Sequence, residues 1–354
     1  MNETFTKSKT TELPRIIMVG HEVINEVGNV CIRLHLEKPG LIISDEITKK
    51  IAGEKVEQIL SDNGLDVHQM MITDANSDNI SQVKDQIKEL KANFVLGVGG
   101  GRPIDVAKCA SHESNIPFLS IPTAASHDGI VSGRASISVD GKRKSLTAQT
   151  PLAVVADTNI IAQSPYRLLA AGCGDVVANI TAVMDWKLAQ RLKNEEFSSS
   201  ASMLADLTGR FMLDNSDMIK PGIEDSAWYV AKALVSSGVA MSIAGSSRPA
   251  SGSEHKFSHA LDEIAEKPAL HGEQCGVGAI MMMYLHGGDW MKIREALINI
   301  GAPTTAKRLG VGDDEVVRAL TYAHKISPDR YTILGDNGLS HEAAENLARI
   351  TQVI

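Results

Sequence analysis

Cysteine is scarce in this chain. The four cysteines, Cys31, Cys109, Cys173 and Cys275, lie far apart among 354 residues, and no two of them form a CxxC pair. This spacing gives no sign of a zinc ribbon, and it is typical of a protein in a reducing compartment. We therefore expect a cytoplasmic protein with four buried thiols.

Excess positive charge and long apolar runs are also lacking. The formal net charge is −8, which argues against general binding to nucleic acid or to an anionic membrane, because both require a cationic surface. Residues 1–15 have no apolar run behind their charges, so we expect neither a signal peptide nor a membrane anchor there. No later segment offers an uninterrupted apolar span of bilayer length. We therefore predict a soluble globular protein with no stable membrane insertion, in which a local basic pocket is still allowed.

The first half of the chain alternates short apolar runs with amphipathic stretches. Such alternation predicts a mostly parallel, Rossmann-like sheet with helices on its faces. An Asp-Gly dipeptide flanked by period-two alternation predicts a hairpin over residues 135–150. The predicted strands of the sheet cover residues 14–20, 39–45, 66–74, 93–100, 116–123 and 151–158.

From about Ser164 onward the apolar residues follow a helical period. A chain of this length is expected to form two domains. We predict an α/β domain over residues 1–163 and an all-α domain over residues 164–354.

A glycine-rich segment, GVGGGRPIDVAK at 97–108, follows one predicted strand and opens a predicted helix. Glycines at such a turn let backbone amides approach a phosphate, and the N-terminus of the helix adds partial positive charge. The segment predicts a phosphate or pyrophosphate cradle; a tight turn that only needs positive φ is the alternative. It is not the GxGxxG that follows the first strand of a Rossmann unit.

A second polar loop, PTAASHDGIVSG at 122–133, follows the next predicted strand. Ligands of open α/β sheets collect outside the carboxyl ends of the strands, so the two loops are expected to line one crevice. Thr123, Ser126 and Ser132 can hydrogen-bond a ligand, and Asp128 can accept from a hydroxyl group. The alternative is an ordinary polar surface loop.

Three histidines occur within the stretch SGSEHKFSHALDEIAEKPALHGEQCGVG at 251–278. His255 and His259 are four residues apart and would share one face of a helix, while His271 follows the helix-breaking Pro268. Asp175 stands in an apolar helical run, where an uncompensated carboxylate is costly, so a cation is a fitting partner. A catalytic zinc site has three protein ligands and one open position. The alternative is that Asp175 caps a helix and that the histidines lie on the surface.

Four segments, GVGGGRPID, IPTAASHDGIVSGRASI, AGCGDVVAN and GSEHKFSHALD…PALHGEQCGVG, together resemble archaeal glycerol-1-phosphate dehydrogenases. That family belongs to a superfamily with glycerol dehydrogenases, iron-containing alcohol dehydrogenases and 3-dehydroquinate synthase. The likeness spans roughly residues 14–290. It implies an active site in the cleft between the two domains, with NAD(H) or NADP(H) bound by the first domain and a metal, usually zinc, one per subunit, held by the second.

The resemblance also implies roles for single residues and for the substrate. The implied reaction is the reversible reduction of dihydroxyacetone phosphate to sn-glycerol 1-phosphate, which supplies the backbone of archaeal phospholipids. Asp128 or His259 would pass the proton. The implied metal ligands are Asp175, His255 and His271; the substrate contacts are Asp128, Asp175 and His259; the cofactor contacts are Gly101, Arg102, Pro103, Ile104, Asp105, Thr123, Ala124, Ala125, Ser126 and Ser132.

Several alternatives stay open. Arg248 and Lys256, close to the histidines, favour a phosphorylated substrate, but a glycerol dehydrogenase acting on unphosphorylated glycerol or dihydroxyacetone is the main rival, ahead of a metal-dependent hydrolase and an inactive paralogue. Asp45, at the end of the second predicted strand, favours NAD(H), whereas Lys49 and Lys50 would accommodate the extra phosphate of NADP(H). Assembly into a homo-oligomer also stays open.

Overall fold

The fold is taken from a computed structural model that describes residues 10–354. Part of the N-terminal segment for which we expect no targeting signal, residues 1–9, lies outside the described residues. All eight strands fall within the segments predicted from the sequence or within a residue of them. The strands are β1 (Ile16–Gly20), β2 (Gly40–Ser44), β3 (Val67–Met71), β4 (Phe94–Gly99), β5 (Phe118–Pro122), β6 (Arg134–Val139), β7 (Lys142–Thr147) and β8 (Ala153–Asp157).

Six of these strands form one parallel sheet in the order β1-β8-β5-β4-β2-β3. The predicted parallel sheet is confirmed. β2, β4, β5 and β8 are buried along their whole length, as their unbroken apolar runs require of strands covered on both faces. The helices of this part are α1 (Val27–Arg33), α2 (Glu46–Thr48), α3 (Glu54–Asp62), α4 (Ser77–Leu90), α5 (Gly101–Glu113) and α6 (Thr158–Gln163), with a π-helical turn at Lys49–Gly53 joining α2 to α3.

The predicted hairpin is formed by β6 and β7, which pair in antiparallel register. Its two turn residues, Asp140 and Gly141, have φ of 53° and 75°. Two successive left-handed residues define the tight turn whose twist matches that of paired strands, and Asp-Gly tolerates this conformation well.

Beyond α6 the described chain is helical. Its helices are α7 (Tyr166–Lys193), α8 (Ser199–Asp214), α9 (Glu224–Ala244), α10 (Ser253–Ile264), α11 (His271–Leu285), α12 (Trp290–Ile300), α13 (Ala306–Leu309), α14 (Asp313–Tyr322) and α15 (His341–Ile350). One hydrophobic cluster contains residues of both parts, among them Phe118 of β5 and Val176 of α7. At residue 163 the chain changes from α/β to all-helical structure, but the two parts share one hydrophobic core. Their division into two separate domains therefore stays a prediction.

Two helices, α7 and α9, are long and apolar enough to cross a membrane by length and composition alone. In α7, 89% of the most apolar window is buried inside the protein, and in α9 56% is buried. The apolar surface of α7 packs against α8 and α11, so its composition reflects its place at the centre of the helical part.

The strand order creates a crevice at the carboxyl ends of β2 and β4. In the sheet β2 lies between β3 and β4. The chain runs from β2 to β3 on one side of the pair β2 and β4, whereas from β4 it runs to β5 on the opposite side. Chain segments leaving β2 and β4 therefore diverge, which is the arrangement at which open α/β sheets bind ligands.

Candidate active site

A cleft of about 1380 Å³ opens between the carboxyl ends of the strands and the helical part. Most of the residues predicted for the site line it, from both parts of the chain: Gly101, Arg102, Pro103, Asp105, Thr123, Ala124, Ser126, Asp128, Ser132, His255, His259 and His271. Ile104 and Ala125 do not line it, because both are buried in the core. Asp175 lies just behind the lining, where it contacts Asp128 and two of the histidines.

The glycine loop leaves the N-terminus of α5 open to this cleft. Gly100 is the residue before α5, and no side chain of residues 10–354 caps the helix there. A Cβ atom at Gly100 would meet nothing within 4 Å, so the free backbone N–H groups face unfilled space. An uncapped helix N-terminus beside open space is suited to bind a phosphate or diphosphate.

Gly101 has a different neighbour from the one expected. A Cβ atom there would lie 2.4 Å from Nε2 of His127, so the imidazole ring occupies the space beside this glycine. A branched residue at Gly101 would clash with His127 before it met a cofactor. His127 lines the cleft and was missed in the sequence.

Asp105 and Lys108 of α5 link this helix to the loop after β5 and to the hairpin. One carboxylate oxygen accepts from the backbone N–H of Ser136 at 3.0 Å, and the other lies 3.3 Å from Nζ of Lys108. Lys108 is fully buried and also donates to the carbonyl oxygens of Gly129 at 2.6 Å and of Arg134 at 2.5 Å. An Asp-x-x-Lys pair on one helix face is the sequence signal that could have revealed this link.

Asp45 caps the N-terminus of α2, a role that the sequence analysis did not predict. Its Oδ1 accepts from the backbone N–H groups of Ile47 at 3.1 Å and Thr48 at 2.8 Å, which makes it the N-cap of α2. Its Oδ2 lies 3.5 Å from the guanidinium of Arg102. The carboxylate lines the cleft, and one of its oxygens is already engaged.

Close packing of α7 against α11 brings Asp175 next to His271. A Cβ atom at Gly174 would lie 2.3 Å from the carbonyl oxygen of Gly272, so the two backbones touch at this point. Asp175 lies inside α7 and not at its start, and His271 is the first residue of α11. The alternative in which Asp175 caps a helix is therefore wrong.

Asp175, His255 and His271 direct their ligand atoms at one point. Oδ1 of Asp175 is 3.6 Å from Nε2 of His255 and 3.8 Å from Nε2 of His271. On the opposite side of each ring, Nδ1 of His255 is hydrogen-bonded to Oε1 of Glu254 at 3.0 Å, and Nδ1 of His271 is hydrogen-bonded to Oγ of Ser258 at 3.1 Å. Such outer contacts fix the orientation of metal-binding histidines.

Two features of this cluster fit a divalent cation. Oδ1 of Asp175 is buried and has no hydrogen-bond partner among residues 10–354. The set of imidazole and carboxylate ligands suits zinc, iron and related metals. The sulfur of Cys275 completes the cluster, 3.6 Å from Nε2 of His271. All four cysteines are buried thiols as predicted, and the position of Cys275 beside the ligands was not foreseen.

The pKa values of the cluster residues also fit a bound divalent cation. Burial lowers the pKa of His255 and of His271 well below 6.5, so both rings are neutral and can bind a metal. Burial, followed by the charge of Asp128, raises the pKa of Asp175 well above 3.8. A cation among these groups would compensate the carboxylate in its buried position.

His259 and Asp128 stand beside the cluster without joining it. Nδ1 of His259 lies 3.6 Å from Oδ2 of Asp262. The backbone N–H of Asp128 donates to Oδ2 of Asp175 at 2.9 Å, and its carboxylate accepts from Oγ of Ser237 at 2.9 Å. Burial raises the pKa of Asp128 to about 6.

Of the two basic residues noted near the histidines in the sequence, only Lys256 lines the cleft. Arg248 does not line the cleft; it is buried, with Nε 2.5 Å from a carboxylate oxygen of Glu195 and Nη1 2.9 Å from the carbonyl of Tyr331. Arg248 therefore gives no support to the expectation of a phosphorylated substrate. Lys256 does line the cleft, and so does Arg330, which the sequence did not suggest.

Arg330 is held by neutral groups. It donates to the carbonyl of Ser251 at 2.5 Å and to Oγ of Ser247 at 2.8 Å. Burial, followed by the positive charge of Arg330, lowers the pKa of Lys256 to about 8. Burial, followed by the charge of Arg248, lowers the pKa of Arg330 to about 10. Two cationic groups that repel each other at the wall of a cleft are suited to an anionic ligand.

Solved structures share this architecture along almost the whole chain. A probable glycerol dehydrogenase from Sinorhizobium meliloti superposes with a TM-score of 0.79 at 18% identity, covering 98% of this chain and 100% of that one. A sulfoacetaldehyde reductase from Bifidobacterium kashiwanohense, solved with NAD+, gives 0.75 at 15% identity, covering 98% and 99%. The family model described as iron-containing alcohol dehydrogenase matches residues 18–165. The fold is that of the iron-containing alcohol dehydrogenase type, with a parallel α/β part followed by a helical part.

Sequence relatives narrow this class further. A protein from Methanosarcina mazei named glycerol-1-phosphate dehydrogenase (NAD(P)+) is 56% identical over 98% of this chain and 97% of its own length. A protein of the same name from Methanothermobacter thermautotrophicus is 53% identical over 97% of this chain and 98% of its own length. The chain belongs to the glycerol-1-phosphate dehydrogenase family and is an oxidoreductase, which favours the main prediction over the glycerol dehydrogenase alternative.

Proposed function

We propose that this enzyme reduces dihydroxyacetone phosphate to sn-glycerol 1-phosphate in the cleft, with NADH or NADPH and one zinc ion held by Asp175, His255 and His271. The observation that carries the metal assignment is the buried Oδ1 of Asp175, which faces two neutral imidazoles and has no hydrogen-bond partner in the described part of the chain. A role in archaeal phospholipid synthesis and a cytoplasmic location are part of the same proposal.

Bound groups would supply the reactive chemistry: a nicotinamide provides a hydride, and a divalent metal polarises a ketone and stabilises the negative charge that develops on its oxygen. The chain supplies position. The open N-terminus of α5 holds the cofactor diphosphate, and the loop from Thr123 to Ser126, with Ser132, lines the next part of the cleft. These contacts fix the cofactor against the metal site.

Asp128 and His259 are the two groups placed to move a proton. Both line the cleft beside the metal cluster. Asp128 keeps its carboxylate near Asp175 through the backbone hydrogen bond, and its raised pKa, about 6, brings a proton within reach near neutral pH. His259 has Asp262 behind its ring, with Nδ1 of the imidazole 3.6 Å from Oδ2 of the carboxylate.

Lys256 and Arg330 are proposed to hold the substrate phosphate. They line the cleft on the helical side, and Lys256 is on the same helix as His255 and His259. A phosphate between them would relieve their repulsion and form charge-assisted hydrogen bonds. This placement favours the phosphorylated substrate over dihydroxyacetone.

The test compares dihydroxyacetone phosphate with dihydroxyacetone, each with NADH and with NADPH, on protein loaded with zinc. We expect kcat/KM to be higher by orders of magnitude for the phosphorylated ketone. Comparable values for the two ketones would favour the glycerol dehydrogenase alternative. The same assays rank the two cofactors, and metal analysis of protein purified without added metal identifies the ion.

A further inference from the structure

His127 presents a fixed hydrogen-bond donor to the cleft. Its Nδ1 accepts from the backbone N–H of Gly129 at 3.0 Å. Because Nδ1 is the acceptor, the proton of the neutral ring is on Nε2. Burial lowers the pKa of His127, which is consistent with a neutral ring. The side chain therefore offers one N–H group in a direction set by the backbone of its own loop.

That N–H group lies at the first residue of α5. The ring nitrogen is close enough to Gly101 that a Cβ atom there would come within 2.4 Å of it. Among residues 10–354 Nε2 has no hydrogen-bond acceptor, and the ring lines the cleft. The acceptor for this N–H group therefore comes from the contents of the cleft and not from the described protein.

The neighbouring backbone indicates what that acceptor is. The N-terminus of α5 has no side-chain cap, and the space beside Gly100 is open. Backbone N–H groups and the imidazole N–H thus converge on one anionic group of the ligand. We propose that Nε2 of His127 donates to the diphosphate of the bound nicotinamide dinucleotide. The proposal rests on the proposed function, which places that diphosphate at α5.

The hydrogen bond to Gly129 makes a selective test possible. In His127→Asn the shorter side chain can still accept from the N–H two residues later, as Asn commonly does in turns, but it cannot reach Gly101. His127→Ala removes both interactions. Comparing the two variants separates a donor to the cofactor from a group that only supports the turn.

The binding assay uses zinc-loaded protein and two probes, NADH, followed by its fluorescence, and ADP-ribose, followed by calorimetry. ADP-ribose contains the diphosphate and lacks the nicotinamide. In His127→Asn we expect the Kd of both probes to rise by the same factor, about tenfold, the range of a hydrogen bond to a charged acceptor. The phosphorus-31 resonances of bound ADP-ribose should also shift relative to the wild-type complex.

Three results would overturn the proposal. The first is unchanged affinity for both probes in His127→Asn. The second is weaker binding in His127→Ala alone, which would assign His127 only to the turn. The third is weaker binding of NADH with unchanged binding of ADP-ribose, which would place the contact at the nicotinamide end. If the wild-type protein binds neither probe, the proposed function fails and not this inference alone.

Discussion

Replacement of Lys256 by methionine should stabilise the protein while it damages substrate recognition. Lys256 is only 4% exposed, and burial, followed by the charge of Arg330, lowers its pKa from 10.5 to about 8. A drop of that size corresponds to about 3 kcal/mol of destabilisation of the charged form at neutral pH, as an upper bound. Methionine has a similar length and no charge, so the free energy of unfolding should rise.

The pH dependence follows from the direction of this pKa change. Between pH 8 and 10.5 the unfolded state binds more protons at this lysine than the folded state, so the stability of the wild-type protein gains from rising pH in that window. The gain in free energy of unfolding from Lys256→Met should therefore be largest at pH 7 and should shrink to about 1 kcal/mol near pH 9.5.

Calorimetric unfolding without ligand, at both pH values, checks this expectation. The matched control is Lys55→Met, because Lys55 is exposed on α3 and is not among the residues that line the cleft, so its replacement should leave Tm nearly unchanged. In kinetic assays Lys256→Met should lower kcat/KM for dihydroxyacetone phosphate by at least about tenfold, through loss of a charge-assisted hydrogen bond, with little change for dihydroxyacetone. A lower Tm for Lys256→Met at pH 7, or equal losses with both ketones, would refute the reasoning.

Three other expectations concern the metal and the cofactor. His255→Ala and His271→Ala should each lose the metal and activity, whereas His259→Ala should keep near-stoichiometric metal and lose turnover. Mass-spectrometric metal analysis paired with kinetics tests this expectation. The reverse pattern would show that the roles of these histidines are exchanged. Gly100→Val should weaken NADH binding in a titration while Tm stays near the wild-type value, since its side chain would enter the open space at α5; unchanged NADH affinity would mean that the loop is only a turn. Removal of the metal by a chelator should lower Tm and added zinc should restore it, because Asp175 is then left uncompensated; an unchanged Tm would argue against a metal at this cluster.

Much of the α/β part was predictable from local pattern. The four central strands, β2, β4, β5 and β8, are short continuous apolar runs, which is typical of strands in a parallel sheet covered on both faces. The hairpin followed from one dipeptide, Asp140-Gly141, because few residue pairs tolerate two left-handed conformations. The candidate ligands Asp175, His255 and His271 came from residue type, spacing and resemblance, and the structure brings them together.

Assignments that depend on a distant partner could not be made in the same way. Arg248 and Arg330 look alike in sequence, yet one is neutralised by Glu195, 53 positions away, and the other stays available in the cleft. His127 and Cys275 gave no signal of their own, because their roles depend on which groups the packing places beside them.

The order of strands and helices, the two polar loops after β4 and β5 and the chemical types of the candidate site residues could be read from the sequence, because these depend on neighbours within a few positions. Which of those side chains face the cleft without a partner was set by packing between distant segments. Contact between the backbones at Gly174 and Gly272 brings Asp175 to His271, and capping of α2 engages one oxygen of Asp45. A charged or polar group is available for chemistry only when no partner in the fold already satisfies it, and such partners come mostly from distant parts of the chain.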